Sequence, residues 1–167
     1  MTDAAQDGCA SARAFNAQHF APGDVVELET SAGLAYLQVT HLHHAYPEIV
    51  RALAGLHQTR PADLNLLVNL PTRFITMTPL AANLAAGQLT GTRIGHFQIP
   101  DAARDFPVFR TPIRDRVRRI VYWWHWDGDT LRHVVPDGKI DEDGNANQRL
   151  PMREVTDAHW LLQRLTE

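Results

Sequence analysis

The chain has 167 residues, a formal net charge of −3, and hydrophobic and charged fractions of 44% and 21%. That is the composition of one ordinary globular domain with its own core, and it excludes global disorder. The mild negative charge excludes a polycation that coats nucleic acid over its whole surface, and no apolar run approaches the roughly 18 residues of a bilayer-spanning helix.

Cys9 is the only cysteine, so neither an internal disulfide nor a thiolate zinc cage is available. It sits in a polar, small-residue stretch that lacks the apolar core of a secretory signal. Residues 1–19 read as a flexible tail, residues 20–167 as a single domain, and the cytoplasm as its compartment. Lys139 is the only lysine and has no glycine-rich context, which excludes a P-loop; no GxGxxG joins a strand to a helix. No cofactor is expected.

Ordered structure is expected from Phe20. Pro22-Gly23-Asp24 is turn chemistry, and residues 25–29 and 34–40 read as a β-hairpin turned at Ser31-Ala32-Gly33. Residues 41–46 are expected to leave that strand. Residues 48–57 fit two periods: Ile49, Leu53 and Leu56 suit a helix, and Val50, Ala52 and Ala54 suit a strand. Gly55 and the two preceding strands favour the strand. Pro61 fits the first position of a helix continuing to Val68, and residues 74–77 form a short strand.

Thr78-Pro79 reads as an N-cap and first helical position, with Gly87 as the stop of a helix over residues 80–86. Residues 93–99 alternate as a strand, and residues 100–112, with three prolines, are expected to be a loop. Residues 121–126 are strongly β-prone, and Asp127-Gly128 predicts a two-residue turn into a return strand over residues 130–135. A polar loop follows, and Thr156-Asp157 caps a last short helix carrying Trp160, Leu161 and Leu165, with a terminal strand as the alternative. The fold class is therefore α+β: a single domain dominated by antiparallel strands, opening like an SH3-like, partly open barrel, with two or three short helices.

Four clusters invite a functional reading. On a strand, His41 and His43 share a face, and with Glu48 they form a conceivable two-histidine, one-carboxylate metal set. The spacing lacks the HExxH helical pattern, and solvent-facing histidines are the simpler reading. Asp141, Asp143 and Gly144 suggest a calcium loop, but either register puts Leu150 or Met152 where the bidentate glutamate belongs. A flexible acidic loop is expected instead. Arg110, Arg114, Arg116, Arg118 and Arg119 form a basic stretch, interrupted by Asp115, and its Arg114 to Arg119 part could hold an anion or phosphate backbone, or simply be a solvated loop. In the run from Tyr122 to Trp126, alternation puts Tyr122, Trp124 and Trp126 on one face and Trp123 and His125 on the other. One face packs the core, and the other is a candidate aromatic anchor for a partner. No serine, threonine or cysteine stands in a nucleophile context.

Pro22-Gly23-Asp24-Val25-Val26-Glu27 through Gly33-Leu34-Ala35-Tyr36 resembles the opening of small bacterial immunity proteins of polymorphic-toxin systems, of the immunity protein 26 type. Ala54-Gly55-Leu56-His57, Phe74, Pro79-Leu80, Ile99-Pro100 and Pro107-Val108-Phe109-Arg110 continue the likeness. The resemblance implies a β-rich, non-enzymatic cytoplasmic protein that neutralises a toxin by binding it. Three functions follow in order of preference. The first is such a protein-binding molecule, using Tyr122, Trp123, Trp124 and the acidic Asp141 and Asp143. The second is a nucleic-acid module using the arginine stretch, and the third a metal-dependent hydrolase using His41, His43 and Glu48.

Overall fold

A computed structural model describes residues 19–135 and 150–167. The expected tail with Cys9, and the acidic loop with Asp141 and Asp143, lie outside the described residues. The chain runs β1 (Asp24–Thr30), β2 (Gly33–His43), β3 (Tyr46–Leu53), α1 (Leu64–Val68), β4 (Thr72–Met77), α2 (Leu80–Ala85) and β5 (Gly91–His96). A 3-10 turn (Asp101–Ala103) leads to β6 (Phe109–Arg114), β7 (Ile120–Trp126), β8 (Leu131–Val134) and α3 (Ala158–Thr166). Five strands form one sheet in the order β4-β3-β2-β1-β5, and three form a second in the order β6-β7-β8. All named strand pairs are antiparallel, so the α+β reading holds.

The larger sheet is covered on both faces. Val26, Leu28, Leu37, Val39, Val50 and Ala52 pack one face against Leu80 of α2 and Leu161 and Leu165 of α3. Burying those two α3 leucines stabilises the fold by about 3–6 kcal/mol before entropy is counted. On the other face, Val25, Tyr36 and Leu53 meet Leu67 and Val68 of α1, with Ile94 and Phe97 alongside. A third cluster of Ile49, Met77, Phe109 and Trp126 joins the two sheets.

The α1 side of the sheet also carries buried polar groups. Arg51, in β3, is only 2% exposed. Its Nε donates to Gln38 Oε1 at 2.8 Å, and its terminal nitrogens donate to the carbonyls of Val68 and Leu70 and to Thr72 Oγ1. Gln38 in turn donates to Phe97 O at 3.1 Å. None of these acceptors is a carboxylate. Burial pulls the Arg51 pKa down, and the end of α1 supplies the partial negative charge that holds it. Next to it, Glu27 accepts from Tyr36 Oη at 2.8 Å and from two nitrogens of Arg60 at 2.8 and 2.9 Å. The Arg60 hydrogen bonds lead in pulling the Glu27 carboxyl below its usual 4.5, against the upward push of burial.

Several boundaries differ from the expected ones. β2 continues to His43 because Tyr46 pairs back onto it. α1 starts at Leu64, since the Asp63 carboxylate caps it by accepting from the Asn65 and Leu66 amides. Thr78 does not cap α2: its hydroxyl donates to Thr156 O, and the Glu48 carboxylate takes the Leu80 and Ala81 amides, each at 3.2 Å. Residues 109–112, expected in a loop, belong to β6. Pro112 is tolerated because β6 is a sheet edge. The Asp127-Gly128 turn has four residues, and only Gly128 has positive φ (97°). The Asp127 carboxylate closes that turn by accepting from the amides of Asp129 and Thr130. Asp157 caps α3 by accepting from Trp160 N at 2.7 Å, as expected.

Arg51→Ala strands four acceptors and opens a cavity, so urea unfolding is expected to show a loss of about 3 kcal/mol or more. A loss within about 1 kcal/mol would mean that the fold does not depend on this network. The depressed Glu27 pKa contributes stability that is present above pH 4.5 and lost as acid protonates the carboxylate. The stability gap between wild type and Glu27→Gln is therefore expected to close as the pH falls below 4.5, and a gap constant with pH would contradict the ion pair.

Candidate functional site

The three-stranded sheet stands beside the main body as a wing, and one residue moors it. Trp126, 5% exposed, packs its ring against Tyr46, His43, Phe106 and Phe109 at centroid distances of 4.9, 5.1, 5.4 and 5.9 Å. The Arg153 guanidinium covers it at 4.5 Å, a cation–π contact. Residues 150–156 then stitch the wing to the body through backbone bonds. Arg110 N donates to Pro151 O, Arg153 N to Arg110 O, and Thr156 N to Met77 O at 2.8 Å.

The expected alternation along β7 is observed. Tyr122 and Trp124 lie on the Trp126 face but further out, and His133 of β8 sits with them at 4.4 and 5.6 Å. Trp123 lies on the opposite face, where the Arg110 guanidinium stacks on it at 4.5 Å. All three outboard rings of β7 are half-buried. Among the described residues, seven large hydrophobic side chains are exposed, and four of them, Val117, Val121, Leu131 and Val135, belong to the wing or its loops. The smaller sheet and its loops therefore carry more than half of the large apolar side chains exposed among the described residues.

Of the expected basic stretch, Arg110 lies within β6, and Arg114 to Arg119 form the end of that strand and the loop at the wing tip. Asp115 organises it: its carboxylate accepts from the amides of Val117 and Arg119 and pairs with Arg119 Nε at 3.1 Å. Arg114 donates to Arg118 O, and Arg118 adopts φ of 66°. Arg116 and Arg118 make no side-chain ion pair among the described residues and project at the tip. The local charge there is thus positive, opposite in sign to the whole chain.

The histidine and glutamate set is not brought together. A bulge between Val39 and His41 turns His41 to the face of Ile49 and Phe106. Its Nε2 meets Arg104 O at 3.0 Å. His43 accepts from Ala45 N at Nδ1, so its Nε2 is the donor to Gly128 O at 3.0 Å. It ties the β2–β3 turn to the β7–β8 turn. Glu48 lies on the opposite face, occupied at α2. No group of three metal-binding side chains occurs among the described residues.

The stacking of Arg110 and Arg153 on two of the tryptophans was not apparent in the sequence, because nothing local marks a guanidinium that finds its ring across a sheet. No helix among the described residues is long and apolar enough to cross a membrane. No family model, curated protein or solved structure matches the chain.

Glu48→Ala is expected to lower stability by about 1 kcal/mol through loss of the α2 cap. Zinc is expected to leave the wild-type melting temperature unchanged. A zinc-dependent rise abolished by Glu48→Ala would restore the metal reading.

Proposed function

We propose that the chain is a non-enzymatic binding protein acting in the cytoplasm, and that its partner docks on the wing. The observation that carries this reading is the concentration of exposed Val117, Val121 and Leu131 on the wing, which carries the half-buried Tyr122 and Trp124 on one face and Trp123 on the other. Aromatic side chains with an apolar surround are the usual anchors of a protein interface. They stand on a sheet that Trp126 and residues 150–156 already hold in place, so little ordering cost falls on binding.

The resemblance to immunity proteins supplies the specific form: occlusion of a toxin by the wing. The order β4-β3-β2-β1-β5, a meander whose first strand also pairs with the last, supports the SH3-like description of the larger sheet. Arg116 and Arg118 at the tip favour an acidic patch on the partner, with the charges acting mainly on the association rate.

The alternative is a single-stranded nucleic acid, favoured by one observation. Tyr122, Trp124 and His133 offer stacking rings on one face within the sheet whose tip carries the arginines. The two readings separate by salt dependence.

The test is capture from native lysate with wild type, Trp124→Ala and Arg116→Glu/Arg118→Glu, each checked for fold by circular dichroism. The expected result is a protein partner retained in high salt after nuclease, lost with folded Trp124→Ala, and slower to associate with the charge-reversed variant. Recovery of nucleic acid that high salt releases would move the assignment to the second reading. Unchanged capture by folded Trp124→Ala would remove the wing from the interface.

A further inference from the structure

The outer edge of the five-stranded sheet offers a second surface, away from the outboard face of the wing. β4 is an edge strand, paired on one side with β3. Thr78 N donates to Glu48 O, which fixes the alternation. Thr76 and Phe74 turn their backbone groups to β3, while Met77 and Ile75 turn theirs outward. Met77 is met by the parallel bridge to Val155. The outward N–H and C=O of Ile75 have no backbone partner among the described residues. Before that bridge, residues 150–154 diverge from β4 to reach β6, because Met152 pairs in parallel with Arg110. The divergence leaves a cleft of about 540 Å³ between β4 and residues 150–154.

Sheet edges are commonly blunted by a charged side chain laid across them. Here Arg73 is drawn aside. Its terminal nitrogens donate to Leu165 O at 2.9 Å and Arg164 O at 3.4 Å, at the end of α3. The cleft carries apolar surface from Phe74 and Trp160, which meet edge-on at 5.8 Å. Its charged lining is three guanidinium groups, Arg73, Arg110 and Arg164, against the single carboxylate of Glu154. Arg164 also holds Glu167 at 2.5 Å, beside the cleft.

We infer that this cleft binds an extended acidic segment of a partner protein by strand addition to β4, through the outward backbone groups of Ile75. Strand addition draws affinity from main-chain hydrogen bonds and specificity from alternate side chains. In such a segment, aliphatic side chains would face Phe74 and Trp160, and carboxylates would face the arginines. This goes beyond the wing reading, which rests on the outboard rings and on a side-chain rather than a main-chain contact; Arg110, stacked on Trp123, borders both surfaces.

The probe is a blocked peptide of alternating glutamate and valine, about seven residues long, an ordinary strand length. Titration into the full chain, followed by anisotropy and by amide resonances, is expected to show saturable binding with a shift at Ile75. Replacing glutamate by lysine, or N-methylating alternate peptide amides, is expected to weaken binding about tenfold or more, the latter because it removes hydrogen bonds and leaves the side chains. Arg164→Glu, on the exposed side of α3, is expected to weaken it similarly. Equal affinity for the lysine or the N-methylated peptide would overturn the inference, as would an Ile75 amide unmoved at saturation. Self-association that perturbs the Ile75 amide and that the peptide does not reverse would assign the edge to a second copy of this chain and overturn it too.

Discussion

A guanidinium without a carboxylate lies at the centre of this fold. Arg51 is buried in β3, next to the edge strand of the larger sheet, and its acceptors come from β2, from the C-terminal end of α1, and from the start of β4. Each is a neutral dipole. An isolated buried charge costs several kcal/mol, so the arrangement persists only if every neighbouring acceptor arrives in place. That requirement positions the short helix α1, which at five residues could not form alone. It also fixes Gln38, whose amide reaches on to Phe97 and closes the far side of the sheet. A hydrophobic residue at this position would hold the strands together, but it would not specify where α1 ends.

The wing is organised by the opposite logic. Its mooring is aromatic and apolar, with Trp126 among Tyr46, His43, Phe106 and Phe109, and its outer part has no covering layer among the described residues. Tyr122 and Trp124 have the alternation of a core strand, yet among the described residues no helix crosses them as α2 and α3 cross the larger sheet. The same sequence pattern thus serves as packing at Trp126 and as surface two and four residues earlier.

This double use limits what the sequence could disclose. The first hairpin, the α3 cap and the face assignment of Tyr122 to Trp126 were legible, because each depends on local turn chemistry or a two-residue period. β6 was not, because three prolines read as loop unless one knows that the strand is an edge. Nor was the capping role of Glu48: the acceptor for the α2 amides comes from β3, some thirty residues earlier, and Thr78 offered a plausible local substitute. The histidines were read on the correct face relative to one another, but the bulge at Thr40 that separates them from Glu48 leaves no signature in residue type. In the site, the arginines at the wing tip and the aromatic strand were visible. The cation–π pairings with Arg110 and Arg153 were not, since they form only across the sheet and through residues 150–156.

The stitch made by residues 150–156 also bears on the order in which the molecule is assembled. The hydroxyls of Thr76 and Thr156 meet at 3.0 Å across a separation of 80 residues, and α3 follows directly to roof the larger sheet. Until that late segment arrives, the face made of Val26, Leu37 and Val50 lacks half its cover, while the wing hairpins can already close locally. Topologies dominated by such distant pairings collapse slowly and leave apolar strands open to other chains in the meantime. During synthesis the larger sheet therefore waits, half-covered, for the ribosome to traverse the entire wing.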